Sequence, residues 1–396
     1  MALKNTARFG LGSSGPVRRL LAVVVLVTLF ESTFFAALAP LLPDLKEEIG
    51  FSKGAAGLLT AAYAIGVAIV AIPGGLTGAR VGPKRVALGG ILVISAATVG
   101  FGFADSYALL VLARLAQGVG AGMAWTSALS WLVLAAPKER RAELIGYGIT
   151  GATVGSVLGP ALGGAAAELG RAEVFTAVAV LAVATVLSAG RIAGPIPTER
   201  QGLAELWHAL KRPRVAGGLA LVSLPAFCIG VVFVLAPLAL DRYGFGALAI
   251  TITFICAAAT LGVLSPLIGR RIDRRGRRGI VSVALVAGGS ASVALPFVHQ
   301  RWVLAVLTAA AVVFFEAFWV PGTSLLSEGI EGAGVHQSLG FALMNLAIGP
   351  GFIVGSAAGG ALAAVTGDTV PYLIVAGVAA TSLVVIRRAR LAPADA

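Results

Sequence analysis

Long apolar runs separated by short polar segments cover most of this 396-residue chain. The runs are close to the length of about 20 residues that an α-helix needs to cross the roughly 30 Å hydrocarbon core of a bilayer. The pattern therefore predicts an all-α integral membrane protein with twelve transmembrane helices. The predicted spans are 20–42, 54–78, 86–104, 107–134, 144–166, 174–194, 215–239, 246–268, 279–298, 302–325, 338–363 and 371–386.

The longest polar stretch lies in the middle of the chain and divides the spans into two sets of six. We predict an N-terminal six-helix bundle over residues 1–194, a cytoplasmic central loop over 195–214 and a C-terminal six-helix bundle over 215–396. Gly276, after the eighth span, lies 194 residues beyond Gly82, after the second. Four glycines of the eleventh span likewise lie 196 residues beyond four of the fifth. Two unrelated features at nearly one offset predict duplicated, pseudo-symmetric halves.

Lysine and arginine are distributed unevenly between alternate polar segments. The termini and the loops on their side hold 24 of them, and the opposite loops hold five. Positive charge marks the cytoplasmic side of a membrane protein. Both termini are therefore predicted to be cytoplasmic, in a multi-pass protein of the cell (inner or plasma) membrane. The first run is too long for a signal peptide and is predicted to remain as a span.

The composition narrows the possible functions. The net charge is +12, but the basic residues form short clusters between apolar runs, which argues against a nucleic-acid partner. Cys228 and Cys256 have no metal-ligand spacing. The sequence shows neither a catalytic Ser–His–Asp pattern nor a nucleotide-binding P-loop. We expect neither an enzyme nor a metal site, and the expected partners are the lipid bilayer and a small molecule.

The loop after the eighth span carries a motif of Gly269, Asp273, Arg274 and Gly276, and the loop after the second span carries a partial copy, Gly75, Arg80 and Gly82. The motif resembles the signature loop of the major facilitator superfamily. The resemblance implies the major facilitator fold and a hinge clamp whose acidic residue favours one conformation. Ala79 stands where the copy after the second span should carry the acid, so that clamp is expected to be weaker. Simple topology anchoring is the alternative interpretation.

Glycines in the fifth span recur at i, i+4 and i+8, leaving a bare stripe on which another helix can pack closely. The full pattern matches the antiporter motif of the drug:proton exchangers within that superfamily, which implies export. Helix packing alone is the alternative. The residues are Gly155, Gly159, Pro160, Gly163 and Gly164.

Three Asp, Glu, Lys or Arg residues lie well inside predicted spans, where a charge is costly and usually functional. Arg114 resembles the arginine of the family's fourth helix, which is associated with proton coupling; snorkelling to the interface is the alternative. Glu31 and Glu316 are the acids well inside spans. Each is expected to exchange a proton for a cation, or else to be a hydrogen-bonded neutral acid.

The first and tenth spans resemble those of vesicular amine transporters and their bacterial drug-exporting relatives. The resemblance implies that Glu31 contacts a cationic substrate and that Glu316 takes part in proton coupling. Tyr63 and Asn345 fall near positions where those relatives have a lysine and a third acid. Aromatic side chains beside the acids suit lipophilic cations; lipid-facing rings are the alternative. The predicted substrate-binding residues are Glu31, Phe34, Tyr63, Phe315, Trp319 and Asn345.

These features predict a secondary active transporter that exports small hydrophobic or cationic compounds by proton-coupled alternating access. The expected energy source is the proton gradient, with no cofactor, and the expected assembly is a monomer. The alternatives are an importer or uniporter of a small polar metabolite and a non-transporting membrane receptor.

Overall fold

The computed structural model describes residues 15–135, 141–192, 194, 208, 210–332 and 337–388, and all regular secondary structure in these ranges is helical. Twelve helical segments are long and apolar enough to cross a membrane, which confirms the predicted fold class. The helices are α1a (Gly15–Ala36), α1b (Leu38–Ile49), α2 (Lys53–Val81), α3 (Pro83–Gly102), α4 (Tyr107–Ala135), α5 (Arg141–Leu169), α6 (Arg171–Ala189), α7 (Pro213–Arg242), α8 (Ala247–Arg275), α9 (Arg278–Ala294), α10a (Arg301–Glu316), α10b (Trp319–Gly332), α11 (Gln337–Thr366) and α12 (Thr369–Arg388).

Two predicted spans are interrupted. The first span breaks at Ala37, and the tenth breaks after Glu316. A proline follows each break, and its ring clashes with the carbonyl four residues earlier in a continuous helix. Pro40 would clash at Ala36, and Pro321 would clash at Ala317. Each break therefore interrupts the regular helix near the middle of its span. Most of the predicted central loop, residues 195–207 and 209, lies outside the described residues.

The two halves repeat the same helix arrangement. α2 and α8 begin 194 residues apart, and so do α4 and α10a. Equivalent helices also pack in equivalent pairs: α1a on α5 and α7 on α11, α2 on α4 and α8 on α10a, and α3 on α6 and α9 on α12. The offset that predicted a duplication in sequence is therefore the offset of the structural repeat.

The loops after α2 and α8 contain a second shared device. Gly82 and Gly276 have φ values of 95° and 73°, which glycine adopts without strain. Two residues later, Lys84 Nζ donates to the carbonyl oxygens of Gly190 and Ile192 at 2.8 and 2.6 Å. At the same offset, Arg278 Nη2 donates to the carbonyl oxygen of Ile386 at 3.1 Å. A cation in each half thus stabilises the C-terminal end of that half's last helix.

The halves meet along two helix pairs, α2 with α11 and α5 with α8. We call the face where α1a begins and α12 ends the terminal face, and the face at the α1b–α2 turn the far face. Near the far face, a Cβ on Gly57 would lie 2.3 Å from the Ser356 carbonyl oxygen, and one on Gly360 would lie 2.6 Å from the Lys53 carbonyl oxygen. Glycine is required there because the two halves touch backbone to backbone.

Large apolar side chains remain exposed on the outer surface of the bundle. Leu187, Val263 and Val306 are 72%, 70% and 68% exposed. Such surface is unfavourable in water but matches the hydrocarbon of a bilayer. The structure is that of a multi-pass membrane protein.

Candidate functional site

Glu31 lies half-buried near the middle of the first span, six residues before the break at Ala37. Tyr63 on α2 donates its hydroxyl to Glu31 Oε1 at 2.9 Å, and Ser32 donates to Oε2 at 2.9 Å. Both carboxyl oxygens therefore have a hydroxyl partner. The carboxyl is held in place and also remains partly accessible, as a group that exchanges protons or cations must be.

Arg114 of α4 contacts the same tyrosine and is 2% exposed. Its guanidinium sits over the Tyr63 ring, 4.7 Å from the centroid, and its Nη1 donates to the Phe34 carbonyl oxygen at 3.2 Å and to Gln117 Oε1 at 3.0 Å. Gln117 Nε2 then donates to Thr98 Oγ1 at 3.0 Å. These contacts rule out snorkelling to the interface.

We call the group Glu31, Tyr63, Arg114, Gln117 and Thr98 the polar cluster. It joins four helices of the N-terminal half, α1a, α2, α3 and α4. One buried atom within it, Arg114 Nε, has no hydrogen-bond partner. Sequence reasoning found Glu31, Tyr63 and Arg114 separately, and missed Gln117 and Thr98, which only the packing of α3 on α4 brings to the arginine.

An aromatic cluster beside Tyr63 spans both halves, and we call it the aromatic seam. The Phe35 ring lies 5.2 Å from the Tyr63 ring. Across the interface it lies 6.1 Å from Phe233 on α7 and 5.4 Å from Phe352 on α11. Phe233 in turn contacts Phe254 on α8 at 5.3 Å. The seam puts apolar rings next to the Glu31 carboxyl and links the two halves there.

Glu316 ends α10a, at the interruption of the tenth span, and is half-buried. Within the part of the chain that the structure describes, its carboxyl makes no hydrogen bond or ion pair. No described contact joins it to Glu31. The two mid-span acids thus occupy opposite halves in different environments, one with two hydroxyl partners and one with none.

The other predicted substrate-binding residues occupy varied places. Phe34 is 2% exposed in the core of the N-terminal half, and Phe315 is 0% exposed, with its ring against Gly288 of α9. Trp319 begins α10b and is half-buried. Asn345 Nδ2 donates to Thr126 Oγ1 of the opposite half at 3.1 Å. Phe35, rather than Phe34, lies at the interface between halves. A contact of any of these residues with substrate stays a prediction.

The glycines of α5 serve two interfaces. A Cβ on Gly155, Gly159 or Gly163 would lie 2.1–2.8 Å from a backbone oxygen of the first span. A Cβ on Gly164 would lie 2.2 Å from Thr251 Oγ1 of α8 in the other half. Thr251 also donates to the Pro160 carbonyl oxygen at 3.3 Å. Three glycines therefore build the N-terminal half, and Gly164 with Pro160 joins the halves.

The predicted hinge loops lie on the terminal face. Gly75 is half-buried, Arg80 and Arg274 are exposed, and a Cβ on Gly269 would meet no atom within 4 Å. The side chain of Asp273, like that of Ala79, lies outside the described residues, and its clamp role stays a prediction. The same region does contain one ion pair, from Arg277 Nη2 to Glu328 Oε1 of α10b at 2.6 Å.

An ion-pair group that the sequence did not reveal crosses the far face. Asp368, after α11, binds both Lys53 of α2 and Arg242 of α7. Lys53 belongs to the N-terminal half and Asp368 to the other, so this group ties the halves together. A cleft of about 310 Å³ opens beside it, lined by Pro43, Lys46, Glu47, Lys53, Leu238, Asp241 and Arg242.

Within the described residues, no group of three His, Cys, Asp or Glu side chains is arranged to hold a metal ion. Both cysteines are free; Cys228 is buried and Cys256 is exposed.

Comparison with known proteins identifies the family. The model described as "Major Facilitator Superfamily" matches residues 24–265 and 248–395. An uncharacterized MFS-type transporter, Rv1250 of Mycobacterium tuberculosis, is 37% identical over 27% of this chain and 18% of its own length. The quinolone resistance protein NorA of Staphylococcus aureus is 27% identical over 42% of this chain and 43% of its own length. The chain thus spans less than half of these relatives.

A solved structure extends the likeness to the whole fold. A bacterial homologue of the human lysosomal transporter Spinster, in an inward-facing and unoccupied conformation, superposes with a TM-score of 0.70. The match covers 97% of this chain and 100% of that one at 16% identity. With twelve spans in two repeated halves and family matches over nearly its whole length, the chain belongs to the major facilitator superfamily.

Proposed function

We propose that the protein exports small hydrophobic or cationic compounds in exchange for protons, by alternating access between the halves. The observation that carries the proposal is the pair of half-buried mid-span carboxyls, one in each half. Transporters of this architecture bind substrate near the middle of the membrane between their repeats. The similarity to NorA, whose name records quinolone resistance, supports a drug-efflux direction.

The proposed exchange follows from the cost of charge away from water. A carboxylate there is unfavourable unless a cation or a proton neutralises it. A proton and a cationic substrate therefore compete for Glu31, and its neighbours in the aromatic seam offer the apolar and cation–π surface that a lipophilic cation needs. Glu316, whose carboxyl has no hydrogen-bond or ion-pair partner among the described residues, is the second proton-binding group. Arg114 supplies a fixed positive charge over the ring of Tyr63, which bonds Glu31.

Uptake into inverted membrane vesicles tests this proposal. Tetraphenylphosphonium is a suitable probe because its charge is permanent, so any pH dependence belongs to the protein. We expect an acid-inside gradient to drive accumulation in the native protein, Glu31→Gln to reduce it at least tenfold with less effect on a neutral dye, and Glu316→Gln to abolish accumulation while downhill exchange continues.

The matched control is Glu168→Gln, because Glu168 is an exposed carboxyl on α5. It should transport as the native protein does. Accumulation at native rates by both mid-span variants would show that neither acid is a coupling site.

The 24-to-5 distribution of basic residues supports an orientation in which the terminal face is cytoplasmic, in the cell membrane. A C-terminal fluorescent fusion should then fluoresce, and a C-terminal alkaline phosphatase should be inactive. The opposite pair of results would reverse the orientation. We propose a monomer, which light scattering of the detergent-solubilised protein measures.

A further inference from the structure

Tyr63 makes three different kinds of contact at once. Its hydroxyl donates to Glu31 Oε1 at 2.9 Å. Its ring lies under the Arg114 guanidinium at 4.7 Å and beside the Phe35 ring at 5.2 Å. The residue is 3% exposed, so its side chain is almost fully enclosed by protein. A tyrosine buried only for packing does not need all three.

The third contact leads across the interface between the halves. Phe35 also touches Phe233 and Phe352, which belong to the C-terminal half. Tyr63 is therefore the single side chain that connects the Glu31 carboxyl to Phe35 of the aromatic seam. Any displacement of its ring changes the packing of Phe35, and with it a contact that alternating access must break.

We propose that Tyr63 is a positioning residue that couples the charge of Glu31 to the contact between the halves. The proposal rests on the proposed function, in which Glu31 binds the coupling proton or the cation. It assigns Tyr63 a role in coupling, where its sequence position suggested a direct contact with substrate.

The physical basis is the strength of the hydroxyl bond. A hydroxyl bonds an ionised carboxylate about twice as strongly as a neutral carboxyl. Neutralising Glu31 therefore loosens the hold of α2 on α1a at Tyr63. The Arg114 guanidinium packs on the same ring, so a displacement of the Tyr63 ring also changes this cation–π contact. A change in the charge of the Glu31 carboxyl thereby affects the packing of the aromatic seam through Tyr63 alone.

The surrounding groups leave few competitors for this role. Among the described residues, the charged side chains that contact Tyr63 are Glu31 on α1a and Arg114 on α4. The repeat-equivalent residue on α8, 194 positions later, is Ala257, which has neither a ring nor a hydroxyl. The link therefore exists in the N-terminal half alone.

Infrared difference spectroscopy on the protein in liposomes tests the contact itself. Glu31→Gln identifies the band of the protonated Glu31 carbonyl. Tyr63→Phe should move that band to higher wavenumber, because the carbonyl loses its hydroxyl donor. The control is Tyr107→Phe, which removes a 2.8 Å hydroxyl bond from α4 to the Ala55 carbonyl oxygen of α2 and leaves the Tyr63–Glu31 bond in place. An unmoved band in Tyr63→Phe would overturn the proposal.

Transport of tetraphenylphosphonium tests the coupling. Tyr63→Phe should lower proton-driven accumulation roughly tenfold, with the KM of downhill exchange within about twofold of the native value. A shifted band with native accumulation would overturn the coupling role while leaving the contact. Native coupling in Glu31→Gln would instead contradict the proposed function, and the band position would still report on the Tyr63–Glu31 contact.

Discussion

The two halves of this protein have the same helix arrangement and different polar interiors. In the N-terminal half, five helical positions carry a connected polar cluster on four helices. In the C-terminal half, the positions 194 residues later carry mostly small or apolar side chains. Glu31, Tyr63, Thr98, Arg114 and Gln117 correspond to Pro225, Ala257, Ser292, Thr308 and Ala311.

The mid-span acid of the C-terminal half likewise has no ionisable counterpart in the N-terminal half. Glu316 corresponds to Gly122 of α4. The features that repeat are the helix pairing, the glycine stripes and the cations at the ends of α6 and α12. The features that do not repeat are the mid-span ionisable groups and the breaks in the first and tenth spans. The two halves therefore share an architecture, and they differ in the single side chains that line their interiors.

The largest expected difference between the halves concerns the paired positions Arg114 and Thr308. Arg114→Met leaves the Gln117 and Phe34 oxygens without their donor, which costs about 1–3 kcal/mol for each buried group. Thr308 Oγ1 is buried and has no hydrogen-bond partner among the described residues, so Thr308→Val removes an unsatisfied group and should be neutral or stabilising. Thermal unfolding in detergent measures both, with transport recorded alongside. Equal destabilisation would mean that the polar cluster contributes nothing specific to the N-terminal half.

A smaller difference is expected where both halves use a glycine. A Cβ on Gly163 would lie 2.1 Å from the Ala37 carbonyl oxygen, which is rigid backbone. A Cβ on Gly359, 196 residues later, would lie 3.0 Å from a Val231 methyl group, which can move. Gly163→Ala should therefore cost about 1–3 kcal/mol through overpacking, and Gly359→Ala less than about 1 kcal/mol.

Melting temperatures of the two alanine variants check this order. Gly269→Ala provides the control, since a Cβ there meets no atom within 4 Å. A greater loss in Gly359→Ala than in Gly163→Ala would reverse the comparison of the two stripes.

The smallest effect is expected for the cations that the halves share. Lys84→Met and Arg278→Met should each destabilise one helix end by about 0.3–1 kcal/mol. Faster hydrogen–deuterium exchange should appear at the end of α6 in the first variant and of α12 in the second. Arg85→Met, at an exposed neighbouring position, should leave exchange unchanged. Exchange that changes in only one half would show that this device is not common to both.

Much of the architecture could be read from the sequence because membrane insertion is dominated by local composition. A run of apolar residues identifies a span, whatever its neighbours, because the hydrocarbon solvates each helix separately. The 194-residue offset between Gly82 and Gly276 was also visible in the sequence, because it is a spacing along the chain. The breaks at Ala37 and Ala317 were missed. Pro40 and Pro321 were visible in the sequence. A proline alone does not predict a break, however, because prolines also lie inside the unbroken helices α5 and α7.

Some features of the candidate site could likewise be predicted from the sequence, and others required the tertiary structure. The sequence alone determined that the protein spans the membrane in two related halves and that Glu31, Arg114 and Glu316 carry charge where charge is costly. Only the tertiary structure decided that Tyr63 joins Glu31 to Arg114, that Gln117 and Thr98 extend the cluster, and that Phe35 faces the other half while Phe34 is buried in its own. Periodicity fixes which residues share a helix face. It does not fix which faces meet, because those contacts join residues from separate helices and depend on how every helix packs.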